Sequence, residues 1–319
     1  MLITVVTAVC EYAAWNCPKC GRIGETGKFC GGCGHPATTN DRGPSEKARN
    51  GIPTNNLPSS SETESKTRLQ NVEQSVVRIL TAYHITDERF SEYINVSGYN
   101  VGSGFAIGVP GEPVNYVATA GHVVMHNLES GNVMEPTVQE VIDGKEYYLK
   151  VQVDYIHVLI SDVNSYIVAN VEKVATHTDL AILKLKEDTL PREVAVIMDR
   201  RDFSVGEKLI SMGFPAAVEV NIDKYDPGEM LSDTKYVTID TSSFFSWRYN
   251  AETKQGDQIK TTSSILPGSS GGPMVDSNGY VVGVNISGSL GSADSGYAVA
   301  SCELITLIDV SDINAFYGP

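Results

Sequence analysis

Residues 267–273 read Pro-Gly-Ser-Ser-Gly-Gly-Pro and place a serine, Ser270, between glycines. A serine hydroxyl is a weak nucleophile, which becomes reactive beside a base that takes its proton and donors that bind the resulting oxyanion. Because glycine tolerates positive φ, this segment can turn tightly and direct the N–H groups of Gly268 and Ser270 at one point. The segment predicts a nucleophile loop, although a plain Gly/Ser turn between strands explains it equally well when taken alone.

A histidine follows directly on an apolar segment in residues 116–124, which read Tyr-Val-Ala-Thr-Ala-Gly-His-Val-Val. The segment favours a strand that ends in small residues, after which His122 begins a short helical turn. Small residues leave room for an imidazole at a crowded junction, where it can act as a base. A lone histidine in such a setting is more often a core residue with its hydrogen bonds satisfied, so this segment alone does not identify His122 as a base.

An aspartate opens the apolar segment of residues 179–185, which read Asp-Leu-Ala-Ile-Leu-Lys-Leu. This position places a carboxylate near the core, which costs free energy unless the carboxylate is hydrogen-bonded. A bond from the Nδ1–H of a histidine would meet that need and would fix the tautomer of the ring. A surface aspartate at the start of a strand is the other interpretation of Asp179.

These three residues follow one another in the order His122, Asp179, Ser270, which is one of the orders found among unrelated triad enzymes. Their segments together resemble the trypsin-like serine proteases, and they are most similar to the HtrA/Deg branch. Residues 119–124, 179–184 and 267–273 match the histidine, aspartate and serine motifs of that branch. Its flanking segments are matched by residues 102–105 (Gly-Ser-Gly-Phe), 212–215 (Met-Gly-Phe-Pro), 283–286 and 296–299.

The resemblance implies an all-β protease domain of two six-stranded β-barrels, the chymotrypsin-like fold. One barrel would carry His122 and Asp179 and the other Ser270, with the active site in the cleft between them. The chain itself favours strands, because its apolar stretches are short and turn signals separate them. The strand candidates are residues 76–80, 101–109, 147–160, 166–175, 179–185, 208–213, 235–245, 258–265, 280–286 and 296–300; helices are expected only after Gly121 and at residues 302–310.

The implied function is that of a serine endopeptidase, which hydrolyses peptide bonds of a protein or peptide substrate through an acyl-enzyme. Ser270 would be the nucleophile, His122 the base and Asp179 the residue that orients the histidine, with the N–H groups of Gly268 and Ser270 as the oxyanion hole. The alternative is a catalytically idle protease-fold scaffold whose N-terminal region recruits a partner. A missing triad residue would support that alternative, and all three residues are present.

A substrate pocket can also be assigned by the resemblance, since its floor lies six residues before the nucleophile in this fold. The floor is then Ser264, and the wall is built by Asn285, Ile286, Ser287 and the region of Ala298. No aspartate stands at the floor and no histidine stands on the wall. We therefore expect an uncharged pocket for small or medium apolar side chains.

Two Cys-x-x-Cys pairs lie near the start of the chain, Cys17 with Cys20 and Cys30 with Cys33. Four thiolates from two such turns suit a tetrahedral zinc ion, and a segment with so little core would take its folding energy from the metal. Two disulfides or an iron–sulfur site are the alternatives. The segment resembles the short N-terminal zinc ribbons of many bacterial proteins, so we expect a structural Zn²⁺, possible recruitment of a protein partner, and no metal in catalysis.

The composition divides the chain into three parts. Residues 1–38 hold an N-terminal segment and the zinc ribbon, and residues 39–70, which are rich in Pro, Ser, Thr, Asn and Glu, predict a flexible linker. Residues 71–319 form the predicted protease domain. HtrA proteases usually carry a PDZ domain after the protease, and because only a short tail follows Ala300, we expect no PDZ domain.

Charge and cysteine content bear on partners and location. The formal net charge of -15 argues against nucleic acid as a partner, because its binding depends on Lys and Arg that neutralise phosphates. Of the six cysteines only Cys302 lies in the predicted protease domain, which favours a reducing compartment and hence the cytoplasm. Residues 2–9 are apolar but too short to span a membrane, and no Lys or Arg precedes them, so secretion is the second choice.

Overall fold

The structure, a computed structural model, describes residues 62–129, 132–133, 135–160, 165–175, 177–187, 189–215, 237–250, 255–288 and 295–318. The four cysteines of the predicted zinc ribbon, and the linker up to residue 61, lie outside these residues. Within the described ranges, no three His, Cys, Asp or Glu side chains form a group that could hold a metal ion. None of the described helices combines the length and the apolar character that crossing a membrane requires.

The described chain up to residue 187 forms a closed barrel preceded by a helix. Its elements are α1 (Glu62–Ser75), β1 (Val76–Ile85), β2 (Ser97–Ile107), β3 (Tyr116–Thr119), β4 (Leu128–Glu129), β5 (Asn132–Val133), β6 (Thr137–Ile142), β7 (Lys145–Ile160), β8 (Ser165–Val174) and β9 (Ala181–Leu185), with 3-10 turns at Glu88–Tyr93 and His122–Val124. The sheet runs in the order β1-β2-β3-β9-β8-β7, and a second pairing of β7 with β1 closes it. β6 extends this sheet as the hairpin partner of β7, while β4 and β5 pair separately.

A second barrel is formed by the remaining strands. They are β10 (Lys208–Gly213), β11 (Thr238–Asn250), β12 (Gln255–Thr261), β13 (Pro273–Asp276), β14 (Val281–Gly288) and β15 (Gly296–Ala300), and α2 (Ser301–Asp309) follows β15. The order β10-β11-β12-β15-β14-β13 is closed. The prediction of two six-stranded β-barrels is therefore confirmed.

Strand β1 shows why these residues become central strands. It is paired along both edges, with Val77 opposite Gly104 of β2 and Leu80 opposite His157 of β7. Ile79 belongs to the main core cluster, whereas Leu80 packs in a separate small cluster, as expected for neighbours that point to opposite faces of a strand. Both side chains are fully buried, and each such burial stabilises the fold by about 1.5–3 kcal/mol.

The main core cluster joins the two barrels. It contains Ile79 and Ala118 from the first barrel together with Ile210, Val275 and Val284 from the second. Because protein interiors are close-packed and hardly compressible, this continuous packing fixes the two barrels against each other. Residues that approach from opposite barrels can therefore build one site.

Helix α1 lies partly in the region for which the sequence predicts a flexible linker. Residues 62–70, the last nine residues of that predicted linker, are helical. Arg68 donates from Nε to the carbonyl oxygen of Asn278 at 2.8 Å, and its guanidinium lies 4.6 Å from the ring centroid of Tyr280. Val72, which is buried, anchors the next turn. Contacts with the second barrel thus stabilise this helix, although its own sequence is mostly polar.

Candidate active site

His122 opens a 3-10 turn directly after strand β3, and side chains from the two preceding strands hold that turn. Asn100 on β2 donates from Nδ2 to the carbonyl oxygens of His122, at 2.8 Å, and Val123, at 3.2 Å. Thr81 on β1 donates from Oγ1 to the Val123 carbonyl oxygen at 2.9 Å. These bonds tie the carbonyl oxygens of the turn to strands β1 and β2, and so they fix the backbone from which the imidazole projects.

Asp179 lies just before strand β9 and binds His122 through both of its carboxylate oxygens. Oδ1 accepts the backbone N–H of His122 at 2.8 Å, and Oδ2 lies 2.5 Å from the Nδ1 atom of the ring. The His122 side chain is 30% exposed and the Asp179 side chain is 16% exposed, so the pair is partly shielded from solvent. A two-point contact of this kind fixes both the position and the orientation of the imidazole.

The pKa of His122 reflects the same contact. Burial lowers the pKa of the imidazole, but the negative charge of Asp179 and its hydrogen bond raise it, and the net result is a pKa above the ordinary value of 6.5. The histidine therefore sits where its protonated form is stabilised by a nearby anion. A base with that property can hold a proton taken from another group during a reaction.

Ser270 lies in a loop that two glycines with positive φ shape. Gly268 has a φ of 88° and Gly271 has a φ of 85°. The loop is anchored to strand β14, since the N–H of Gly271 donates to the Asn285 carbonyl at 2.6 Å and the N–H of Asn285 donates to the Gly272 carbonyl at 2.9 Å. These bonds hold Ser270 at a fixed point of the second barrel.

The hydroxyl of Ser270 donates to the backbone carbonyl of Ile286 at 3.1 Å, and the structure gives it no hydrogen bond to His122. The histidine turn and the serine loop nevertheless meet at Gly102. A Cβ atom placed on Gly102 would lie 2.4 Å from the Val123 side chain and 3.1 Å from the carbonyl oxygen of Ser270. The structure thus brings His122 and Asp179 into contact and carries the Ser270 loop to the same junction.

The two N–H groups of the predicted oxyanion hole make no hydrogen bond to any described residue. These are the backbone N–H groups of Gly268 and Ser270. Gly268 is buried, and Ser270 is partly exposed. Two N–H donors that have no acceptor among the described residues, beside a serine hydroxyl, are suited to binding an oxygen that carries negative charge.

The residues assigned to the substrate pocket differ in the burial of their side chains. The Asn285 side chain is fully buried and donates from Nδ2 to the carbonyl oxygens of Met212 and Pro273, each at 3.3 Å, so it links strands inside the second barrel. Ala298 is fully buried in the core cluster of that barrel. Ser264 is half-buried, Ile286 retains 8% of its exposure, and the side chain of Ser287 lies outside the described residues.

Sequence reasoning passed over three residues that support the site. Asn100 and Thr81 hold the histidine turn, but neither stands in a recognisable motif, so only the folded barrel reveals them. Ser103 lies in the motif of residues 102–105 that the resemblance singled out, yet that motif assigned no role to its hydroxyl.

Comparison with known proteins identifies a peptidase family and several serine proteases to which the chain is similar. The family described as "Trypsin-like peptidase domain" matches residues 102–284, which is more than half of the chain. The serine protease Do-like HtrA of Lactococcus lactis subsp. cremoris is 23% identical over 297 residues, covering 91% of this chain and 67% of the relative. The serine protease Do-like HtrB of Bacillus subtilis is 30% identical over 141 residues, 42% of this chain and 28% of the relative.

Among solved structures, the Rv3671c protease from M. tuberculosis in its active form is 17% identical, with a TM-score of 0.49. The match covers 82% of this chain and 91% of that chain. The chain spans 56% of the length of a further relative, the Do-like HtrA of Lactococcus lactis subsp. lactis.

Proposed function

The chain belongs to the trypsin-like peptidase family, and from this premise we propose that it is a serine endopeptidase in which Ser270, His122 and Asp179 form the catalytic triad. The observation that carries the proposal is the pair of hydrogen bonds between the Asp179 carboxylate and His122. The relatives, which are named as serine proteases of the HtrA type, support the same activity.

His122 is the general base of the proposed reaction. A carboxylate only accepts hydrogen bonds, so the Nδ1 atom of His122 donates to Asp179 and the Nε2 atom keeps its lone pair. That lone pair takes the proton of the Ser270 hydroxyl while the hydroxyl oxygen attacks the carbonyl carbon of the peptide bond. The proton then passes to the leaving amine, and a water molecule, deprotonated by His122 in the same way, releases the acyl group from Ser270.

The Ser270 hydroxyl changes its hydrogen-bond partner before the attack. It rests on the carbonyl oxygen of Ile286, and rotation about one side-chain bond turns it away from that oxygen. Rotamer changes of accessible side chains take picoseconds to nanoseconds, far less than a typical turnover. The resting arrangement is therefore compatible with rapid catalysis.

The negative charge that forms on the substrate oxygen is stabilised by the N–H groups of Gly268 and Ser270. Both are backbone donors, so their positions are set by the fold and cost no rearrangement when the charge appears. Loss of one such donor typically slows catalysis by about 10²–10³-fold.

The proposed substrates are protein or peptide chains with a small or medium apolar side chain before the cleaved bond. Ser264, which is uncharged and half-buried, supports this pocket, with Ile286 and the backbone of Ser287 along its wall. Asn285 and Ala298 contribute backbone only, since their side chains are buried in the barrel.

We further propose that residues 1–38 bind a structural zinc ion through Cys17, Cys20, Cys30 and Cys33, because four thiolates in two Cys-x-x-Cys pairs form a complete tetrahedral donor set. This ribbon would recruit a protein partner, and the location would be cytoplasmic. The metal content of the full chain, compared with that of a variant with serine at Cys17 and Cys20, tests this: equal zinc content in the two proteins would refute the site.

Labelling with a fluorophosphonate serine-hydrolase probe tests the triad. The parent protein should be labelled and should cleave fluorescein-labelled casein, whereas Ser270→Ala should do neither and His122→Ala should be strongly impaired. Ser277→Ala, which changes an exposed serine in the turn before strand β14, is the matched control and should behave like the parent. A folded parent that shows neither labelling nor casein cleavage would refute the proposed function.

A further inference from the structure

Ser103 lies in strand β2 of the first barrel, is fully buried, and uses every one of its polar groups. Its N–H donates to the Ser270 carbonyl at 2.7 Å, and its hydroxyl donates to the Gly268 carbonyl at 2.8 Å. The same hydroxyl accepts the N–H of Phe214 at 2.8 Å, and its backbone carbonyl accepts the Thr119 hydroxyl at 2.7 Å. One residue of the first barrel thus holds two residues of the serine loop.

The direction of the Ser103 hydroxyl proton follows from these partners. The oxygen already accepts the N–H of Phe214, and a carbonyl can only accept, so the proton of Ser103 must go to the carbonyl oxygen of Gly268. The bond is fully shielded from water. A buried hydrogen bond of this kind is expensive to leave unmade, because removing one partner leaves the other without any acceptor or donor.

Holding the Gly268 carbonyl restricts the oxyanion hole. The peptide group between Gly268 and Ser269 is fixed at both ends, since its carbonyl binds Ser103 and its N–H donates to the Leu266 carbonyl at 3.0 Å. Gly268 itself has a φ of 88°, and a glycine moves between backbone conformations more freely than any other residue. Without the Ser103 bond, the neighbouring N–H of Gly268 loses the restraint that keeps its direction.

The packing around Ser103 leaves little freedom for it to move. A Cβ atom on Gly271 would lie 2.1 Å from the Ser103 carbonyl oxygen, and one on Gly213 would lie 3.0 Å from its Oγ. The Thr119 bond ties the same residue to the end of strand β3, three positions before His122. Ser103 is therefore placed by the first barrel and in turn places the serine loop of the second.

From these contacts we infer that Ser103 is a positioning residue for the proposed reaction, which holds the Gly268–Ser270 segment in the orientation that forms the oxyanion hole. The inference rests on the proposed function. It predicts that loss of the Ser103 hydroxyl weakens binding of the transition state, while substrate binding and the base His122 stay unaffected.

The test compares Ser103→Ala with Ser211→Ala in the full chain. Ser211, on strand β10, is a buried serine whose hydroxyl makes no hydrogen bond among the described residues, so it matches the loss of volume and polarity without the loss of a contact. Three readouts are needed: kcat and KM on fluorescein-labelled casein, the rate of inactivation by the fluorophosphonate probe, and the pH profile of kcat/KM.

For Ser103→Ala we expect kcat and the inactivation rate to fall by about ten- to a hundredfold, which is less than the loss caused by removing an oxyanion donor outright. KM should stay within about twofold and the acid limb of the pH profile should not move, because His122 and Asp179 keep their contacts. Ser211→Ala should resemble the parent in all three. A general loosening of the fold would instead raise KM or move the pH profile.

Equal kinetics of the two variants would overturn the inference, as would a rise in KM with unchanged kcat. If Ser103→Ala does not fold, Ser103→Cys, which keeps the size but bonds weakly, replaces it and should show an intermediate kcat. If that variant is also unfolded, the hydroxyl is required for folding and the positioning role is refuted. A parent protein without activity would refute the proposed function itself, which separates the two failures.

Discussion

Replacing Asp179 by Asn keeps the size of the side chain but removes its charge and one of its two acceptors. The amide oxygen can still accept the backbone N–H of His122, which the parent donates at 2.8 Å. The NH₂ group then faces Nδ1 of the ring, where the parent has an acceptor at 2.5 Å. Since the NH₂ group can only donate, Nδ1 must become the acceptor and the ring proton moves to Nε2, the atom that should receive the proton of Ser270.

We expect kcat to fall by about 10⁴-fold, the loss that this substitution causes where the geometry of a triad is otherwise intact. That factor corresponds to about 5 kcal/mol of transition-state stabilisation. The fold should survive, because Asn fills the same space and Asp179 retains only 16% of its side-chain exposure in a site that accepts a polar group.

The pH profile should shift at the same time. In the parent, burial lowers the pKa of His122 but Asp179 raises it above 6.5, so activity falls as the pH drops through that raised pKa and the imidazole becomes protonated. In Asp179→Asn only the effect of burial remains. The residual activity should therefore persist to lower pH than in the parent.

Stability gives an independent readout with a defined sign. A raised folded-state pKa of His122 contributes stability that is fully present below the unfolded-state value of 6.5 and is lost as the pH rises through the folded-state pKa. The loss of unfolding free energy in Asp179→Asn should consequently be larger at pH 5.5 than at pH 9. Denaturant titrations at the two pH values measure this difference.

The matched control is Asp154→Asn, because Asp154 accepts a bond from the Nδ1 atom of His84 at 2.8 Å in a second, more exposed His–Asp pair. This variant should keep the activity and the pH profile of the parent. If Asp179→Asn retains more than about a tenth of the parent kcat, or if its acid limb stays in place, the assignment of Asp179 as the partner of the base is refuted.

Three further substitutions probe other contacts. Gly102→Ala should destabilise the fold by about 1–3 kcal/mol and lower kcat/KM, because the new Cβ would lie 2.4 Å from the Val123 side chain; thermal melting and casein hydrolysis measure the two effects. Asn100→Ala should lower kcat about fivefold, the equivalent of one hydrogen bond of about 1 kcal/mol to the histidine turn, with KM unchanged in steady-state assays. The hydrogen bonds from Arg89 hold the pKa of the buried Asp87 well below its usual value, so its stability contribution is present above about pH 3.8 and is lost on further acidification. Asp87→Asn should therefore lose stability relative to the parent at pH 7, and this loss should be smaller, though still present, at pH 2, as measured by urea unfolding.

The barrels could be predicted from the sequence because both the local pattern and the motifs point to them. Residues 208–213 and 296–300 are apolar segments bounded by turn residues, and they form strands with the predicted bounds. Helix α2 at Ser301–Asp309 likewise lies within one residue of the helix that the sequence predicts at residues 302–310. In each case the apolar pattern of the segment agrees with its environment in the fold. Under that condition, the local sequence is sufficient to predict the secondary structure.

The sequence did not reveal what depends on contacts between distant segments. Helix α1 is mostly polar, and it is held by Arg68 at a turn 210 positions away. Alternation along strand β14 likewise does not show that the amide of Asn285, which the sequence assigns to the pocket wall, binds the carbonyl oxygens of Met212 and Pro273 on two other strands. Nothing in the sequence distinguishes Ser103 from the other serines. Its hydroxyl acquires its hydrogen-bond partners, Gly268 and Phe214, only when the two barrels pack together.

The glycines of the motifs have a common explanation in that approach. Gly102, Gly213 and Gly271 come from three motifs spread over 170 positions, yet a Cβ on any of them would collide with a neighbour at 2.8 Å or less. Gly102 and Gly213 have no positive φ, so a turn is not the reason for glycine there. All three lie where the strand of Ser103, the end of strand β10 and the serine loop meet. The motifs are therefore parts of one junction, in which the missing side chains let the barrel of His122 come within hydrogen-bonding distance of the loop of Ser270.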